Sequence, residues 1–382
     1  MTGGALEGLR VADFSRVLAG PLATMMLGDL GADVIKVERP GSGDDTRGWG
    51  PPFAGEDAAY FLSLNRNKRS VALDLETPDG ARAARALADR SDVLVENFRP
   101  GLMERFGLGY DDLAPANPGL VYCSITTFAG GEAAARPGYD VIVQALSGLM
   151  SVTGPKDGEP TKVGVALMDV IAGLDAAIGI LAALQARGRT GRGQRVEVSL
   201  FGSSVAAMVN QAANYLIGGV VPRAMGNEHP NIVPYQVFHA ADRPFVLAAG
   251  NDRLFRRTCE AIGRPELGGD ERFATNEARV RNRDHLIPIL ADVFGSQPAA
   301  RWLASFEAAG VPCAPVRGLD EVFASPEGSQ LVTSIDDPVR GALRLVADPI
   351  HLSETPTVNP QPPPRLGEHT AEVLRELGLP PG

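Results

Sequence analysis

The sequence predicts an α/β fold with helices packed on a mostly parallel sheet, followed by a smaller α+β domain. In residues 9–125, short apolar runs alternate with helical patterns, as in successive strand–helix–strand units. Consecutive apolar helices follow, and helical periodicity is lost after residue 220. We therefore expect a large domain to begin with residues 1–220, a smaller domain in residues 225–325, and a separate last segment in residues 326–382.

The strands of the predicted sheet are apolar runs bounded by turn residues, in residues 9–14, 32–38, 70–75, 92–96, 120–125 and 194–200. Pro21 suits the first turn of a helix that ends at Gly31, and Thr77-Pro78 opens another that reaches about residue 88. Shorter helices are expected at residues 102–106 and 110–113. A helix that crosses over between two strands makes those strands parallel.

Three apolar helices are predicted in the middle of the chain, over residues 138–152, 170–186 and 201–217. They offer more apolar surface than one small sheet needs, so part of it is expected to meet another subunit. In the later part, residues 221–240 lack helical periodicity and residues 326–366 are expected to be irregular. A strand at 245–249, helices at 253–262 and 299–309, a helix reaching Phe294 and a closing helix at 367–377 complete the prediction.

Composition excludes several functional classes. The 382 residues carry a net charge of −10, which argues against non-specific binding of nucleic acid. The three cysteines are scattered, which fits a reducing compartment, and no Cys/His spacing resembles a zinc site. There is no signal-peptide pattern, and the apolar run at 170–184 contains Asp175 and is short for a membrane span. We expect a soluble cytoplasmic protein without a metal or a membrane partner.

Basic residues cluster around the loops in which a parallel sheet binds its ligands. Such ligands lie beyond the carboxyl ends of the strands, here the loops at 15–20, 39–50, 97–101 and 126–140. The basic residues in or near them are Arg16, Arg39, Lys68, Arg69, Arg99 and Arg105. Guanidinium groups suit phosphates. The chain has no Walker A motif, and Gly41-Ser42-Gly43-Asp44 lacks the dinucleotide spacing, so NAD and ATP are not expected.

Asp169 stands among small and apolar residues where the helix at 170–186 would begin. An aspartate there suits an N-cap, and it also suits a nucleophile that forms a covalent intermediate. Asp140 likewise lies at the start of the helix predicted at 138–152, where it suits either a cap or a cavity wall. The chain has no Gly-x-Ser-x-Gly elbow, its five histidines have no visible partner, and no metal-ligand set is present. These absences leave carboxylate chemistry as the candidate.

A single carboxylate is enough to transfer an acyl group from a thioester. It attacks the carbonyl to give a mixed anhydride, and the released thiolate then converts the enzyme carboxyl to an aspartyl thioester. Backbone N–H groups would hold the developing oxyanion, and the candidates are Gly130-Gly131 and Ala249-Gly250.

Several motifs along nearly the whole chain resemble those of the family III CoA-transferases (the formyl-CoA transferase-like, or CaiB/BaiF, family). This family also contains α-methylacyl-CoA racemase. The motifs are residues 16–21, residues 31–41, Asn65-Arg66-Asn67-Lys68-Arg69-Ser70, Glu96-Asn97-Phe98-Arg99-Pro100-Gly101, Gly138-Tyr139-Asp140, Met168-Asp169, Gly191-Arg192-Gly193-Gln194 and residues 364–370.

The resemblance implies a CoA-transferase in which Asp169 is the catalytic aspartate that carries first the acyl group and then CoA. It implies a Rossmann-like large domain built from both ends of the chain, an inserted small domain and an interlocked homodimer. Acyl-CoA and a small carboxylic acid are the implied substrates, with no tightly bound cofactor. The implied CoA site comprises Leu18, Ala19, Arg39, Leu73, Asp74, Leu75, Glu76, Asn97, Phe98, Arg99, Arg105, Arg136, Pro137, Gly138 and Tyr139, with residues 73–76 at the adenine or ribose.

Two departures from the formyl-CoA transferase pattern bear on the substrate. Those enzymes have Gln where this chain has Leu18, and a run of glycines where it has Ala248-Ala249-Gly250-Asn251-Asp252. Both differences argue against formyl and oxalyl groups, and we expect a dicarboxylic acid with succinyl-CoA as the donor.

Two other functions stay open. One is that of the racemases in the family that this chain resembles. They share this aspartate and pair it with a histidine in a Gly-His-Asp motif, because 1,1-proton transfer needs two bases. Here the middle residue is Tyr139, a poor base at neutral pH since its ordinary pKa is about 10. A non-catalytic CoA-binding protein would keep the arginine-rich loops without needing Asp169.

Overall fold

The structure is a computed structural model that describes residues 4–130, 136 and 138–380. Its strands, in chain order, are β1 (Arg10–Asp13), β2 (Asp33–Glu38), β3 (Phe53–Ala54), β4 (Asp57–Ala58), β5 (Lys68–Ala72), β6 (Val93–Glu96), β7 (Val121–Thr126), β8 (Arg195–Ser199), β9 (Tyr235–His239), β10 (Pro244–Ala248), β11 (Cys313–Pro315), β12 (Val332–Asp337) and β13 (Gly341–Val346).

Its helices up to the start of the irregular middle segment are α1 (Ala19–Asp29), α2 (Ala59–Leu62), α3 (Pro78–Asp89), α4 (Leu102–Arg105), α5 (Tyr110–Leu113), α6 (Asp140–Leu146), α7 (Leu149–Val152), α8 (Leu167–Thr190), α9 (Leu200–Ala207) and α10 (Val209–Leu216). The later helices are α11 (Asp252–Ala261), α12 (Pro265–Gly269), α13 (Asn276–Arg281), α14 (Arg283–Gly295), α15 (Ala299–Ala308), α16 (Leu319–Ala324), α17 (Pro326–Ser329) and α18 (Thr370–Glu376).

Six of the described strands form one parallel sheet in the order β5-β2-β1-β6-β7-β8. This confirms the predicted α/β class with a parallel central sheet. The chain runs outward from β1 through β2 to β5, then continues with β6 on the other side of β1. The loops after β1 and β6 therefore lead away in opposite directions, and this switch point is where open parallel sheets form a binding crevice.

Helices cover both faces of this sheet because alternate strand residues point to opposite sides. On one face, Val11 and Val93 pack with alanines of α1 and α8 in a fully buried cluster. On the other face, Ile35 and Leu94 pack with α3 and α18. The closing helix α18 thus belongs to the core of the same layer as the first strands.

The chain divides into two compact units, one of Met1–Leu149, Val163–Gly219 and Gln330–Gly382, and one of Met150–Lys162 and Val220–Ser329. The second unit contains an antiparallel sheet in the order β11-β10-β9 and a core rich in aromatic rings, such as Phe245 and Phe294 with centroids 5.3 Å apart. The segment Met150–Lys162 groups with this unit, whereas the sequence assigns it to residues 1–220. The domain boundaries stay a prediction.

Several predicted elements were wrong in extent. The helix expected at 138–152 is divided into α6 and α7 by Gly148, which has a φ of +88°, and the helix expected at 201–217 is divided at Met208. The helix expected at 170–186 begins three residues earlier, at Leu167. The strand expected at 70–75 is β5, which ends at Ala72, so residues 73–76 lie in the following loop.

A region that lacks helical periodicity and a region expected to be irregular both contain strands. Residues 221–240 include β9, and residues 326–366 include the antiparallel pair β12–β13. Strand β12 reads Val-Thr-Ser-Ile-Asp-Asp, whose charged end hides the alternation that identifies a strand.

Helix α8 has 24 residues, and an 18-residue stretch of it has a mean hydropathy of 2.0, so it is long and apolar enough to cross a membrane by length and composition. A core helix of a water-soluble protein meets the same criterion, so one such helix is weak evidence for a span. Its Gly173 lies against α1, where an added Cβ would come within 2.7 Å of the Ala19 carbonyl oxygen. One side of α8 is therefore packed tightly inside the first unit.

Candidate active site

Asp169 lies in the first turn of α8, and the residue before the helix, Ala166, has no side chain that caps it. The cap comes from another helix. The Asp140 Oδ1 atom accepts hydrogen bonds from the backbone N–H of Met168 at 2.7 Å and of Asp169 at 3.2 Å. The interpretation of Asp169 as an N-cap was therefore wrong, and Asp140 is the residue that satisfies the end of this helix.

Gln144 completes this arrangement one turn further along α6. Its amide nitrogen donates to Asp140 Oδ2, and its amide oxygen accepts from the backbone N–H of Val163 at 2.9 Å. Asp140 is 8% exposed. Both oxygens of a buried carboxylate are thus engaged, and α6 fixes the segment that leads into α8.

The electrostatics of Asp169 differ from those of an ordinary surface aspartate. Burial, together with the negative charge of Asp140, raises the pKa of its carboxyl group to about 7. Near neutral pH the side chain is therefore divided between carboxylic acid and carboxylate. A large shift at a half-buried group in a cavity is characteristic of a functional residue.

This shift predicts that Asp169→Asn stabilises the protein. The folded pKa of about 7 lies above the ordinary value of 3.8, so ionisation opposes folding, increasingly so as the pH rises from 3.8 to 7. We expect the variant to raise the free energy of unfolding at about pH 8 by on the order of 2 kcal/mol, with a smaller gain at about pH 5. Urea denaturation at both pH values measures this, and an equal gain at the two would contradict the assignment.

The Asp169 side chain borders a cavity of about 250 Å³ at the switch point of the sheet. Predicted CoA-site residues make up much of its lining, which includes Ala19, Asn97, Phe98, Arg99, Arg136, Gly138 and Tyr139. Arg16, Val17 and Asp45 line it as well. The residues come from the loops after β1 and β6, from the segment before α6 and from α8.

A second cavity of about 260 Å³ contains the other predicted CoA-site residues, Arg39, Leu73, Asp74, Leu75, Glu76, Phe98 and Arg105. Arg16, Asp45 and Phe98 line both cavities, so the two are adjacent. Within the described residues, Arg39, Arg99 and Arg136 have no ion pair with an acidic side chain. Together the cavities form an extended site with guanidinium groups available for an anionic ligand.

Residues 6–370 match the model of CoA-transferase family III. The chain belongs to CoA-transferase family III. It is 45% identical to the succinyl-CoA:glutarate CoA-transferase of Mus musculus, over 97% of this chain and 86% of that protein. It is 44% identical to the succinate–glutarate CoA-transferase of Agrobacterium fabrum, over 97% of this chain and 95% of that protein.

A solved structure agrees with the family assignment. A CaiB/BaiF family protein from Brucella suis is 42% identical, with a TM-score of 0.86 over 99% of this chain and 100% of that chain. The sequence resemblance to the family is thus confirmed, and the protein is an enzyme that uses CoA thioesters.

Some predicted site residues have other roles. Leu18 is buried and lines neither cavity. Pro137 lies outside the described residues. Lys68 and Arg69, predicted near the ligand edge, lie in β5 and are paired with Asp13 and Asp33. The positions of these residues follow from the strand and helix boundaries, which propensity does not determine, and the assignment of Leu18 and Pro137 to the CoA site stays a prediction.

Asn97 has a role in the framework of this transferase as well as a place in the cavity wall. Its amide oxygen accepts from the Arg16 backbone N–H at 2.8 Å, and its amide nitrogen donates to the Arg16 carbonyl at 2.7 Å. The Arg16 guanidinium lies over the Phe98 ring, 4.9 Å from its centroid. The loops after β1 and β6 are thereby fastened together across the switch point.

Tyr60 lines neither cavity but lies close enough to Asp169 for the aspartate charge to act on its phenol, which the sequence did not predict. Burial raises the pKa of its phenol to about 12, and the negative charges of Asp169, Asp140 and Asp44 contribute to that rise. Its hydroxyl therefore remains a donor near Asp169 at neutral pH. Trp49 packs edge-on against its ring at 5.5 Å. No motif in the sequence indicates this tyrosine, because only the tertiary fold brings α2 near α8.

The structure indicates an oxyanion donor that the sequence did not predict. Gly130 lines a neighbouring cavity rather than that of Asp169, Gly131 is outside the described residues, and Ala249-Gly250 belong to the second unit. In their place, Ala19, the first residue of α1, borders the Asp169 cavity. First-turn N–H groups have no acceptor within their own helix and so are available to a developing oxyanion.

Proposed function

We propose that this enzyme moves CoA from succinyl-CoA to a dicarboxylic acid such as glutarate, through covalent intermediates on Asp169. The observation that carries the proposal is the placement of Asp169, a half-buried carboxylate in the first turn of a helix capped by Asp140, beside a cavity lined by arginines. The names of the relatives, succinyl-CoA:glutarate and succinate–glutarate CoA-transferase, support the substrate pair.

In the first half-reaction, an Asp169 carboxylate oxygen attacks the thioester carbonyl carbon of the donor. The C–S bond breaks, CoA leaves as a thiolate, and a mixed anhydride between Asp169 and the donor acid remains. The thiolate then attacks the Asp169 carbonyl carbon. The C–O bond to the donor acid breaks, the donor leaves as a carboxylate, and Asp169 carries CoA as a thioester.

In the second half-reaction, the acceptor carboxylate attacks the aspartyl thioester and releases the thiolate. The thiolate attacks the acceptor carbonyl of the new anhydride, which gives the acceptor-CoA product and restores the Asp169 carboxylate. No net proton is consumed, so a nucleophile and oxyanion donors are sufficient. The pKa of about 7 leaves a large carboxylate fraction at neutral pH and makes that carboxylate more basic than an exposed one.

The two adjacent cavities suit an elongated thioester. We place the acyl end beside Asp169 and the phosphate-bearing part of CoA in the cavity of Arg39 and Arg105, where guanidinium groups pair with phosphate oxygens. Residues 73–76 then lie where an adenine or ribose would be held. Arg136, in the Asp169 cavity, is available to a second carboxylate of a dicarboxylic acid.

Intact-protein mass spectrometry with succinyl-CoA tests this function. A mass increase by CoA or by the acyl group, mapped to Asp169 after mild hydroxylamine or borohydride treatment, would support it, and discharge by a panel of acids would identify the acceptor. If no acyl-CoA gives an adduct but the α-proton of a 2-methylacyl-CoA exchanges with solvent, the enzyme is a racemase. Binding of CoA without either reaction would leave only a binding function.

Neutralising the arginines of the second cavity is expected to weaken CoA binding. For Arg39→Ala and Arg105→Ala we expect the KM for acyl-CoA to rise about tenfold, with kcat changed much less, because a phosphate contact is lost in ground and transition states alike. Steady-state kinetics at low and high salt measure this. Arg82→Ala, which removes an exposed arginine of α3 paired with Asp79, is the matched control.

We also propose that two chains form an interlocked dimer. Apolar side chains are exposed along α8 to α10 and the segment after them, including Ile178 at 65% and Ile217 at 88%. Surfaces of this kind mark protein interfaces. Light scattering on a sizing column should give twice the chain mass of 40.2 kDa at every workable concentration. A concentration-independent monomer would contradict the dimer. A cytoplasmic location also stays a prediction.

A further inference from the structure

The loop after β1 is held by side chains at nearly every backbone group of residues 15–17. Asp13 accepts from the Ser15 N–H at 3.0 Å, and Lys36 donates to the Ser15 carbonyl at 2.9 Å. The Asn97 side chain binds both the backbone N–H and the backbone carbonyl of Arg16. Both carboxylate oxygens of Asp44 accept from the Val17 backbone N–H, each at 3.3 Å. Loops usually rely on water or backbone partners, so this loop is unusually constrained.

Val17 shows why such restraint is needed. Its φ is +70°, a left-handed conformation that is strongly disfavoured for a β-branched residue. Strain of this kind persists only where surrounding contacts over-determine the backbone, and it is concentrated at functional sites. Val17 lies in the turn between β1 and α1, and it lines the Asp169 cavity.

The contacts that oppose this strain come from a buried ion pair. Lys36 Nζ and Asp44 Oδ2 are 2.9 Å apart, and both side chains are fully buried. Burial alone would raise the pKa of Asp44, but the Lys36 charge and the Thr46 hydrogen bonds outweigh it and hold the pKa below its usual value. Asp44 therefore stays ionised, and its charge-assisted hydrogen bond to the Val17 N–H does not depend on pH near neutrality.

The held loop continues directly into the cavity. Ala19 begins α1 and lines the same cavity as Val17 and Asp169. The approach of α1 to the loop leaves no room for a side chain at Gly20, where a Cβ would lie 2.2 Å from the Ser15 Cβ. A change in the Val17 backbone would therefore move the wall beside the reacting carboxylate.

We propose that Asp44 is a positioning residue for acyl transfer, which, together with Lys36 and Asn97, holds the strained Val17 backbone so that the loop and the start of α1 stay in place beside Asp169. The inference rests on the proposed function of Asp169. Asp44 lines the adjacent cavity and not the cavity of Asp169, so its link to the Asp169 cavity is the hydrogen bond to the Val17 N–H. Preorganised supports of this kind act on the rate of the chemical step more than on substrate affinity.

The test measures the half-reaction of the full-length enzyme with succinyl-CoA and no acceptor, as the rate at which the Asp169 adduct forms. For Asp44→Asn we expect that rate to fall about 30-fold. The succinyl-CoA concentration that gives half the maximal rate should change less than about threefold. The matched control is Asp29→Asn, which breaks an equally buried ion pair with Arg66 at the other end of α1. We expect this control to lose stability but not rate.

A double-variant cycle separates positioning from a general loss of stability. Glycine adopts a φ of +70° without strain, so Val17→Gly should raise the melting temperature and make the loop less dependent on Asp44. We expect Asp44→Asn to reduce the rate about fivefold or less in the Val17→Gly background, compared with about 30-fold alone. If Asp44→Asn does not fold, Asn97→Ala in the two backgrounds replaces it.

Equal rate losses in both backgrounds, or a rate within twofold of wild type for Asp44→Asn, would overturn the inference. Failure of the proposed function is distinguishable, because the wild-type enzyme would then form no adduct at Asp169 at all. If Asp44→Asn raises only the succinyl-CoA concentration needed for half the maximal rate and leaves that maximal rate unchanged, the positioning role is likewise overturned.

Discussion

Asp169→Asn is expected to abolish CoA transfer, with at least about a 10⁴-fold loss of kcat and no detectable adduct with succinyl-CoA. The amide has no basic oxygen that can attack a thioester at a useful rate, and no other described carboxylate lines the cavity except that of Asp45. Binding of CoA should persist, since the arginines of both cavities remain. Coupled transferase assays and intact mass measure the two effects separately.

The control for this prediction lies on the same helix. Asp175→Asn changes an aspartate of α8 whose carboxylate accepts from the Ser203 hydroxyl at 2.6 Å and does not line either cavity. We expect this variant to keep wild-type transfer. If Asp169→Asn retains substantial transfer, a covalent role for Asp169 is excluded. If the wild-type protein binds CoA but transfers no CoA, the protein is a binding protein.

The second prediction concerns Asp140, which caps α8 and faces Asp169. For Asp140→Ala we expect about a 10²-fold loss of the adduct rate and a loss of about 1–2 kcal/mol of stability, because the N–H groups of Met168 and Asp169 lose their acceptor. Urea denaturation and single-turnover kinetics measure the two losses. A fully active Asp140→Ala variant would show that the cap does not position the nucleophile.

Asp140→Asn separates the charge from the cap, because an amide oxygen still accepts the hydrogen bonds of α8. The rate should fall on the acid side of about pH 7 in the wild type, since the pKa of Asp169 is raised to about 7 and its acid form is not nucleophilic. Removing the Asp140 charge removes repulsion of the Asp169 carboxylate, so its pKa falls. We expect the acid limb of the pH–rate profile to move to lower pH, and an unmoved limb would contradict the assignment.

The arrangement favours reaction over stability. Asp140 holds the helix that carries Asp169, the proposed nucleophile, yet its charge makes ionisation of Asp169 more difficult. The same relation applies to the first loop, where a strained Val17 is maintained by a fully buried ion pair. Both features cost folding free energy, and both adjoin the cavity in which acyl transfer is proposed.

The sequence by itself determined the strands and helices of the sheet. Apolar runs such as Val93–Glu96, and a helix entered at Thr77-Pro78, are set by local patterning and by turn residues that permit few alternatives. The motifs also identified the family and singled out Asp169. A reaction that needs a carboxylate needs an aspartate or glutamate at that position, so the residue is visible in the sequence even where the groups around it are not.

Only the tertiary structure decided which groups surround Asp169. The hydrogen bonds from Met168 and Asp169 to Asp140, the proximity of Tyr60, and the contact of Asp44 with Val17 all join residues that are separated along the chain. Local pattern also missed the helix breaks at Gly148 and Met208 and the strand β12. Burial and long-range hydrogen bonds override local preference there. Burial and the charge of Asp140 raise the pKa of Asp169 to about 7, because desolvation and neighbouring charge arise only once the chain is packed.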